Sequence, residues 1–242
     1  MAALAILLSA PAAAATALVG IQAPDALIIA GDSRGNMIVG GQVQKISDHI
    51  CKVHVVARAV FGMAGIEEDV KGAFSSKTAV LDILRRRTSL RGAAQAIVNE
   101  LKPKMLTLLQ RLRTEDPASF SMETAKEGIV DILIGEIEKD GPAMLRVILK
   151  PVTVGGLLIA HEIRRPCAAP CQKTLIFPLG VIKDEDLDRV PYSPPRPLTA
   201  YAQSLVESKI GHPQVGGPVD VVRLDSGGHE WIKRKLNCRA EE

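Results

Sequence analysis

The sequence predicts an α+β domain in which two packed sheets carry helices on their outer sides. Three observations predict it. The runs at residues 17–21 and 26–30 are almost wholly apolar, as in strands covered on both faces. A single apolar stripe, Leu90, Ala94, Ile97, Leu101, Met105, Leu108 and Leu112, marks a long core-facing helix. The order of segments is strands, two helices, strands, one helix, strands, and two packed sheets with helices outside them would use every apolar face.

The composition fits one substantial domain of 242 residues. Aromatic residues are only 3%, so aliphatic side chains and alanine must fill the core. With 30 basic against 27 acidic residues, the chain is too balanced to predict binding to nucleic acid or to an anionic membrane surface. The short basic clusters at residues 85–87 and 233–235 read as solvated faces. No pair among Cys51, Cys167, Cys171 and Cys238 has the Cys-x-x-Cys spacing of a zinc ribbon, so no metal site is expected. Cys167 and Cys171 flank a turn-like Ala-Ala-Pro segment and are either a small-loop disulfide or two free thiols.

Residues 1–15 carry no charge and end in an alanine run. They read as a secretory signal, a short propeptide or a gene start placed too late, and they are too short for a dependable membrane span. Each reading predicts removal near Ala15, which leaves residues 16–242 as one domain beginning at Thr16. The mature protein is then secreted or periplasmic if the leader is a signal, and cytoplasmic otherwise. A threonine hydroxyl is a poor nucleophile at neutral pH. A free α-amine on the same residue, with a pKa near ~8, can serve as its base.

The elements follow in order. Residues 17–21 and 26–30 form two strands around the Pro24-Asp25 turn. The second strand runs into Gly31-Asp32-Ser33-Arg34-Gly35, and Asp32 at the end of a buried strand needs a partner, with Arg34 and Lys45 the nearest candidates. Residues 37–43 read as a small strand or loop. Residues 52–59 alternate, and the run closes in the glycine turn Met63-Ala64-Gly65, where backbone N–H groups can face a developing oxyanion. Residues 67–87 read as a helix, with Glu67, Glu68 and Asp69 suiting its N-terminus and Arg85, Arg86 and Arg87 its C-terminus. Ser89 caps the second helix, which Pro103 should kink or divide. Residues 114–126 read as a loop, and residues 128–138 and 143–150 as a hairpin. Strands at 153–163 and 172–179, an irregular proline-rich stretch, a helix at 198–210 and a hairpin around residues 225–228 complete the chain, with a frayed charged tail.

The threonine behind a removable leader, Asp32-Ser33-Arg34, Lys45, Met63-Ala64-Gly65 and Gly216-Gly217-Pro218-Val219-Asp220 together resemble the proteasome β-subunit type of N-terminal-nucleophile hydrolase. The resemblance implies a four-layer αββα sandwich of two antiparallel sheets flanked by helices, and peptide or amide hydrolysis without a cofactor. It implies Thr16 as nucleophile and base, Lys45 as the cation beside it and Asp32 as the group that holds Lys45. Gly65 would serve the oxyanion and Arg34 would be structural support. Met63, Glu67 and Lys71 would line the substrate pocket. It also implies assembly into a ring or homo-oligomer, with action as a single chain the other reading. The chain departs from the pattern at Gly180-Val181, where active members carry a serine, and at His212 and Val215, where they carry Asp and Ser. Ala15 stands where self-cleaving members have glycine. The enzyme is therefore weighed against a non-catalytic assembly protein on the same fold.

Overall fold

A computed structural model describes residues 11–14, 16–69, 74–86, 89–167, 170–235 and 238. Seven strands come first: β1 (Pro11–Ala14), β2 (Ala17–Gln22), β3 (Ala26–Gly31), β4 (Gly35–Val39), β5 (Gln42–Ser47), β6 (Val53–Val56) and β7 (Ala59–Asp69). Helices α1 (Ser76–Arg86), α2 (Leu90–Glu115) and α3 (Pro117–Thr124) follow. Strands β8 (Val130–Glu138), β9 (Gly141–Val152), β10 (Leu158–Arg164) and β11 (Leu175–Gly180) lead to α4 (Asp184–Arg189) and α5 (Leu198–Glu207). The hairpin of β12 (Asp220–Asp225) and β13 (Gly228–Lys233) ends the regular structure.

One antiparallel sheet has the order β1-β7-β8-β9-β10, with β6 also paired to β7. A second has the order β11-β2-β3-β12-β13. Strands β2 and β3 are buried at every position, as their almost wholly apolar sequence predicts, with Gln22 the one polar side chain among them. Between these sheets Leu18, Leu27 and Ile29 pack against Val60, Leu133 and Met144. Phe61, Met63 and Ile66 of β7 face the other way, into a cluster with α1 and α2. Tyr201 and Leu205 of α5 cover Val19, Ile21 and Ile28.

The expected four-layer αββα sandwich of two antiparallel sheets is corrected by this topology. The described residues form three antiparallel sheets, and strand outweighs helix, 40% against 29%. The third sheet is a ribbon of β4 and β5 alone. It arises where a small strand or loop at residues 37–43 and a further ordered run from residue 44 were expected. Gly40 and Gly41 both take positive φ, +58° and +74°, which lets a two-residue turn reverse the chain. The ribbon tip is then tied down, because Gly40 N–H donates to Asp116 Oδ2 at 2.9 Å and Gly41 N–H to Ser119 Oγ at 3.1 Å.

Those two acceptors belong to a helix that was expected to be a loop. Asp116 caps α3 by accepting from Ser119 N–H, and Pro117 occupies the first turn, where its missing N–H costs nothing. Pro103 lies inside an unbroken α2, and Ser89 caps that helix through Gly92 N–H. Glu67, Glu68 and Asp69 continue β7 rather than start a helix, since β1 pairs with Glu68 and Asp69 and Arg111 holds Asp69 at 2.6 Å.

Both cysteine pairs are bridged, Cys167 to Cys171 and Cys51 to Cys238. Two disulfides fit an oxidising compartment. The second bridge corrects the frayed tail. Lys235 Nζ also reaches Asp220 Oδ2 and the carbonyl of Ile50, both at 2.7 Å, so residues 235 and 238 are anchored beside residues 50–51.

The two bridges close loops of very different length, 187 against 4 residues apart. Replacing Cys51 and Cys238 together by serine should lower the unfolding free energy by roughly 3–5 kcal/mol, and the same change at Cys167 and Cys171 by about 2 kcal/mol or less. Urea unfolding of the two double variants checks this, and equal losses would contradict it.

Candidate active site

The pairing of β2 with β3 sets Leu18 opposite Gly31, so the residues just before β2 and just after β3 meet at one end of the sheet. Thr16 and Asp32 are those residues, and both are fully buried. Asp32 N–H donates to the carbonyl of Ala17 at 3.0 Å, and Ala17 N–H returns a bond of 3.0 Å to Asp32 Oδ1. The same Oδ1 accepts from Lys52 Nζ at 2.8 Å. Oδ2 accepts from the backbone N–H groups of Arg34, at 3.0 Å, and Gly216, at 3.1 Å. A buried carboxylate is tolerated only when paired and hydrogen-bonded, and Asp32 is both.

The cation is Lys52, whose side chain has no solvent exposure. Its place follows from the edge of β7. Strand β6 covers residues 59–62 of that edge, and β1 covers 65–69. Both run antiparallel to β7 and so parallel to each other. Lys52 precedes β6 and Thr16 follows β1 closely, so both come to the gap beside Met63 and Ala64. There Met63 N–H donates to the Lys52 carbonyl at 3.3 Å.

Lys45, the expected cation, is placed elsewhere. It sits on β5 of the ribbon with its side chain 52% exposed and its ammonium paired with Asp48. Asp48 also receives Arg34 Nε at 2.7 Å. Hydrogen bonds from Arg34 and then Lys45 hold its carboxyl down at about 2. Arg34, expected as structural support, makes no side-chain hydrogen bond to the Asp32 carboxylate. Its guanidinium reaches Asp48 and the Pro213 carbonyl, and it lies so close to Gly216 that a Cβ there would stand 2.4 Å from it. The glycine pair is therefore what lets residue 216 approach Arg34 and donate to Asp32.

Two more glycines shape the site. Gly65 has φ +98°, and a Cβ on it would meet the Ile129 carbonyl at 2.2 Å. It breaks the alternation of β7, since Met63 and Ile66 face the same helix-covered cluster. Gly180, at φ +70°, packs straight onto Thr16, whose carbonyl would stand 1.8 Å from a Cβ there. The position expected to carry a supporting serine side chain is taken by backbone instead, with Val181 N–H donating to the Thr16 carbonyl at 2.9 Å.

Of the expected pocket residues, Met63 is corrected: it is fully buried in the cluster with α1 and α2. Lys71 lies outside the described residues. Glu67 does line a cavity, of about 270 Å3, with Gly35, Asn36, Ile50, Cys51 and Lys77 among its neighbours. The register of β1 passes from Glu68 to Ile66, leaving Glu67 as a bulged residue, and bulges of this kind re-aim a side chain. Burial pushes the Glu67 carboxyl up to about 7, against the pull of Lys52 and Lys77.

Lys52 was missed although one signal pointed to it. A lysine opening an alternating strand-like run at a core-facing position demands a carboxylate. Among the described residues no helix is long and apolar enough to cross a membrane, and no group of three or more His, Cys, Asp or Glu could hold a metal ion. No protein-family model matches the chain, and no curated protein matches it.

The two lysines separate in their effect on stability. Lys52→Met leaves Asp32 as a buried, uncompensated charge and should cost about 3–5 kcal/mol. Lys45→Met removes one partly exposed partner of Asp48 and should cost about 1 kcal/mol or less. Denaturant unfolding of both variants reads the difference, and the reverse order would sink the assignment of Lys52.

Proposed function

We propose that this chain is the precursor of a threonine-type peptidase or amidase, activated by cutting the bond between Ala15 and Thr16. The observation that carries the reading is the buried Lys52–Asp32 pair, whose carboxylate also holds the amide of Ala17, the residue next to Thr16. An ammonium buried in such a place lowers the proton affinity of nearby groups, which is what a hydroxyl nucleophile needs.

The chemistry then runs on this chain's own groups. Cutting before Thr16 frees its α-amine. The Thr16 hydroxyl attacks the substrate carbonyl carbon and gives its proton to that amine, directly or through a water. The carbonyl oxygen gains negative charge, which backbone N–H groups of β7 near Gly65, a strand position rather than the expected glycine turn, would face. The C–N bond breaks as the leaving nitrogen takes the proton, and water then hydrolyses the acyl ester on Thr16 Oγ. Lys52 keeps the amine neutral enough to act, and Asp32 holds Lys52 in place. The edge of β7 that leads to Thr16 is occupied by β1, so the untrimmed chain has no free edge there for a peptide. With its two disulfides, this enzyme would work in the secreted or periplasmic space.

The second reading, a non-catalytic assembly protein, draws on Gly180 and Val215 standing where supporting side chains were expected. One experiment divides the two. Protein made to begin at Thr16 should cleave peptide amides, while Thr16→Ala and the untrimmed chain should not. Lys52→Ala should lower turnover by roughly 10²–10⁴-fold. Turnover that survives Thr16→Ala, or none from correctly trimmed and folded protein, contradicts the enzyme.

A further inference from the structure

Lys52 keeps its place without a strand to hold it. Residues 49–52 belong to no strand or helix, and the ladder of β6 begins only at Val53. The bond from Met63 N–H to the Lys52 carbonyl is long, at 3.3 Å. Firmer ties lie on the two residues before it. Ile50 N–H donates to the Ser33 carbonyl at 2.9 Å, and Lys235 Nζ donates to the Ile50 carbonyl at 2.7 Å. Cys51 is bridged to Cys238.

Lys235 is itself fixed by a second buried ion pair. Its Nζ stands 2.7 Å from Asp220 Oδ2, and its backbone N–H donates to Asp220 Oδ1 at 2.8 Å. Both residues are buried. The β3–β12 register sets Asp220 opposite Gly31, the residue before Asp32. The Asp32–Lys52 and Asp220–Lys235 pairs therefore lie close together at one end of the sheet. Burial lowers the pKa of Lys235, Asp220 opposes that, and the charges of Lys52 and Asp32 also reach it. A buried ion pair contributes little net stability compared with apolar side chains of the same volume. What this one contributes is a cation held at a defined point against the Ile50 carbonyl.

We infer that Lys235 is a positioning residue which, with the Cys51–Cys238 bridge, sets where the Lys52 ammonium stands. The consequence for turnover rests on the hydrolase reading, whereas the placement of Lys52 does not. Asp32 holds the ammonium, and the ties on residues 50 and 51 hold the backbone that carries it. The lysine is thus fixed at both ends. Releasing either tie lets its backbone move, and a misplacement of about 1 Å can cost about 100-fold in rate.

The test uses the protein beginning at Thr16 and carrying Asp220→Asn with Lys235→Met. This removes the second ion pair as a unit and leaves no lone buried charge to unfold the chain. Cys51→Ser with Cys238→Ser cuts the other tie and is read in the same way. Leu109→Ala, a cut in the core at α2, lowers stability away from the site and is the control. Crystal structures measure the position of Lys52, and peptide cleavage gives kcat and KM. The expected result is a shift of Lys52 Nζ by about 0.5 Å or more, with kcat lowered about tenfold or more at unchanged KM. Leu109→Ala should lower the melting temperature and keep kcat. Lys52 unmoved, kcat intact, or an equal kcat loss in Leu109→Ala overturns the inference. If the parent protein beginning at Thr16 neither cuts peptides nor is acylated by a β-lactone electrophile, the hydrolase reading falls. The crystallographic shift alone then decides the placement of Lys52, and its absence overturns it.

Discussion

A carboxylate cut off from water must find its donors inside the protein, and Asp32 finds four of them. They come from four separated stretches of chain: the start of β2, the turn after β3, the residue before β6 and the glycine pair before β12. Removing any one leaves a buried oxygen underused. The ends of two sheet strands, a buried lysine and a remote loop are therefore held to one another through a single side chain. Such a pair is not by itself a source of stability, because desolvating both charges offsets much of their attraction. Its consequence is positional: an ammonium is fixed on the same carboxylate oxygen that holds the amide of Ala17, the residue after Thr16.

Backbone does much of the remaining positioning. Gly180, Gly216 and Gly65 each stand where a Cβ would collide with a carbonyl or a guanidinium. The approaches that result put the Val181 N–H on Thr16 and the Gly216 N–H on Asp32. A site read only from side chains looks depleted here, at Gly180 and Val215. The hydrogen bonds reaching Thr16 and Asp32 from those segments show main-chain donors instead. The Cys51–Cys238 bridge and Lys235 play a comparable part for the segment before β6, tying residues 50 and 51 to residues 235 and 238.

What could be read from the sequence was local. The β2–β3 pair, the β8–β9 and β12–β13 hairpins and the long α2 announce themselves through apolar runs, turn residues and a cap within a few residues of each other. Thr16 and Asp32 were legible because each lies next to such an element. Lys52 was not, because its partner is 20 residues away and is set by how β6 and β1 share one edge of β7. Lys45 looked the better candidate by chain order, yet the Gly40-Gly41 turn folds it onto a separate ribbon. That ribbon also overturned the four-layer, two-sheet sandwich. The Cys51–Cys238 pairing, 187 residues apart, leaves no local trace at all.

The central claim is that trimming before Thr16 presents its amine and hydroxyl to the Lys52 ammonium. A crystal structure of the protein beginning at Thr16 measures this directly. The account predicts Lys52 Nζ at hydrogen-bond distance, about 2.7–3.2 Å, from Thr16 Oγ or its amine, with Asp32 still on Lys52. A Lys52 side chain turned away from Thr16, or Lys45 standing in its place, would contradict it.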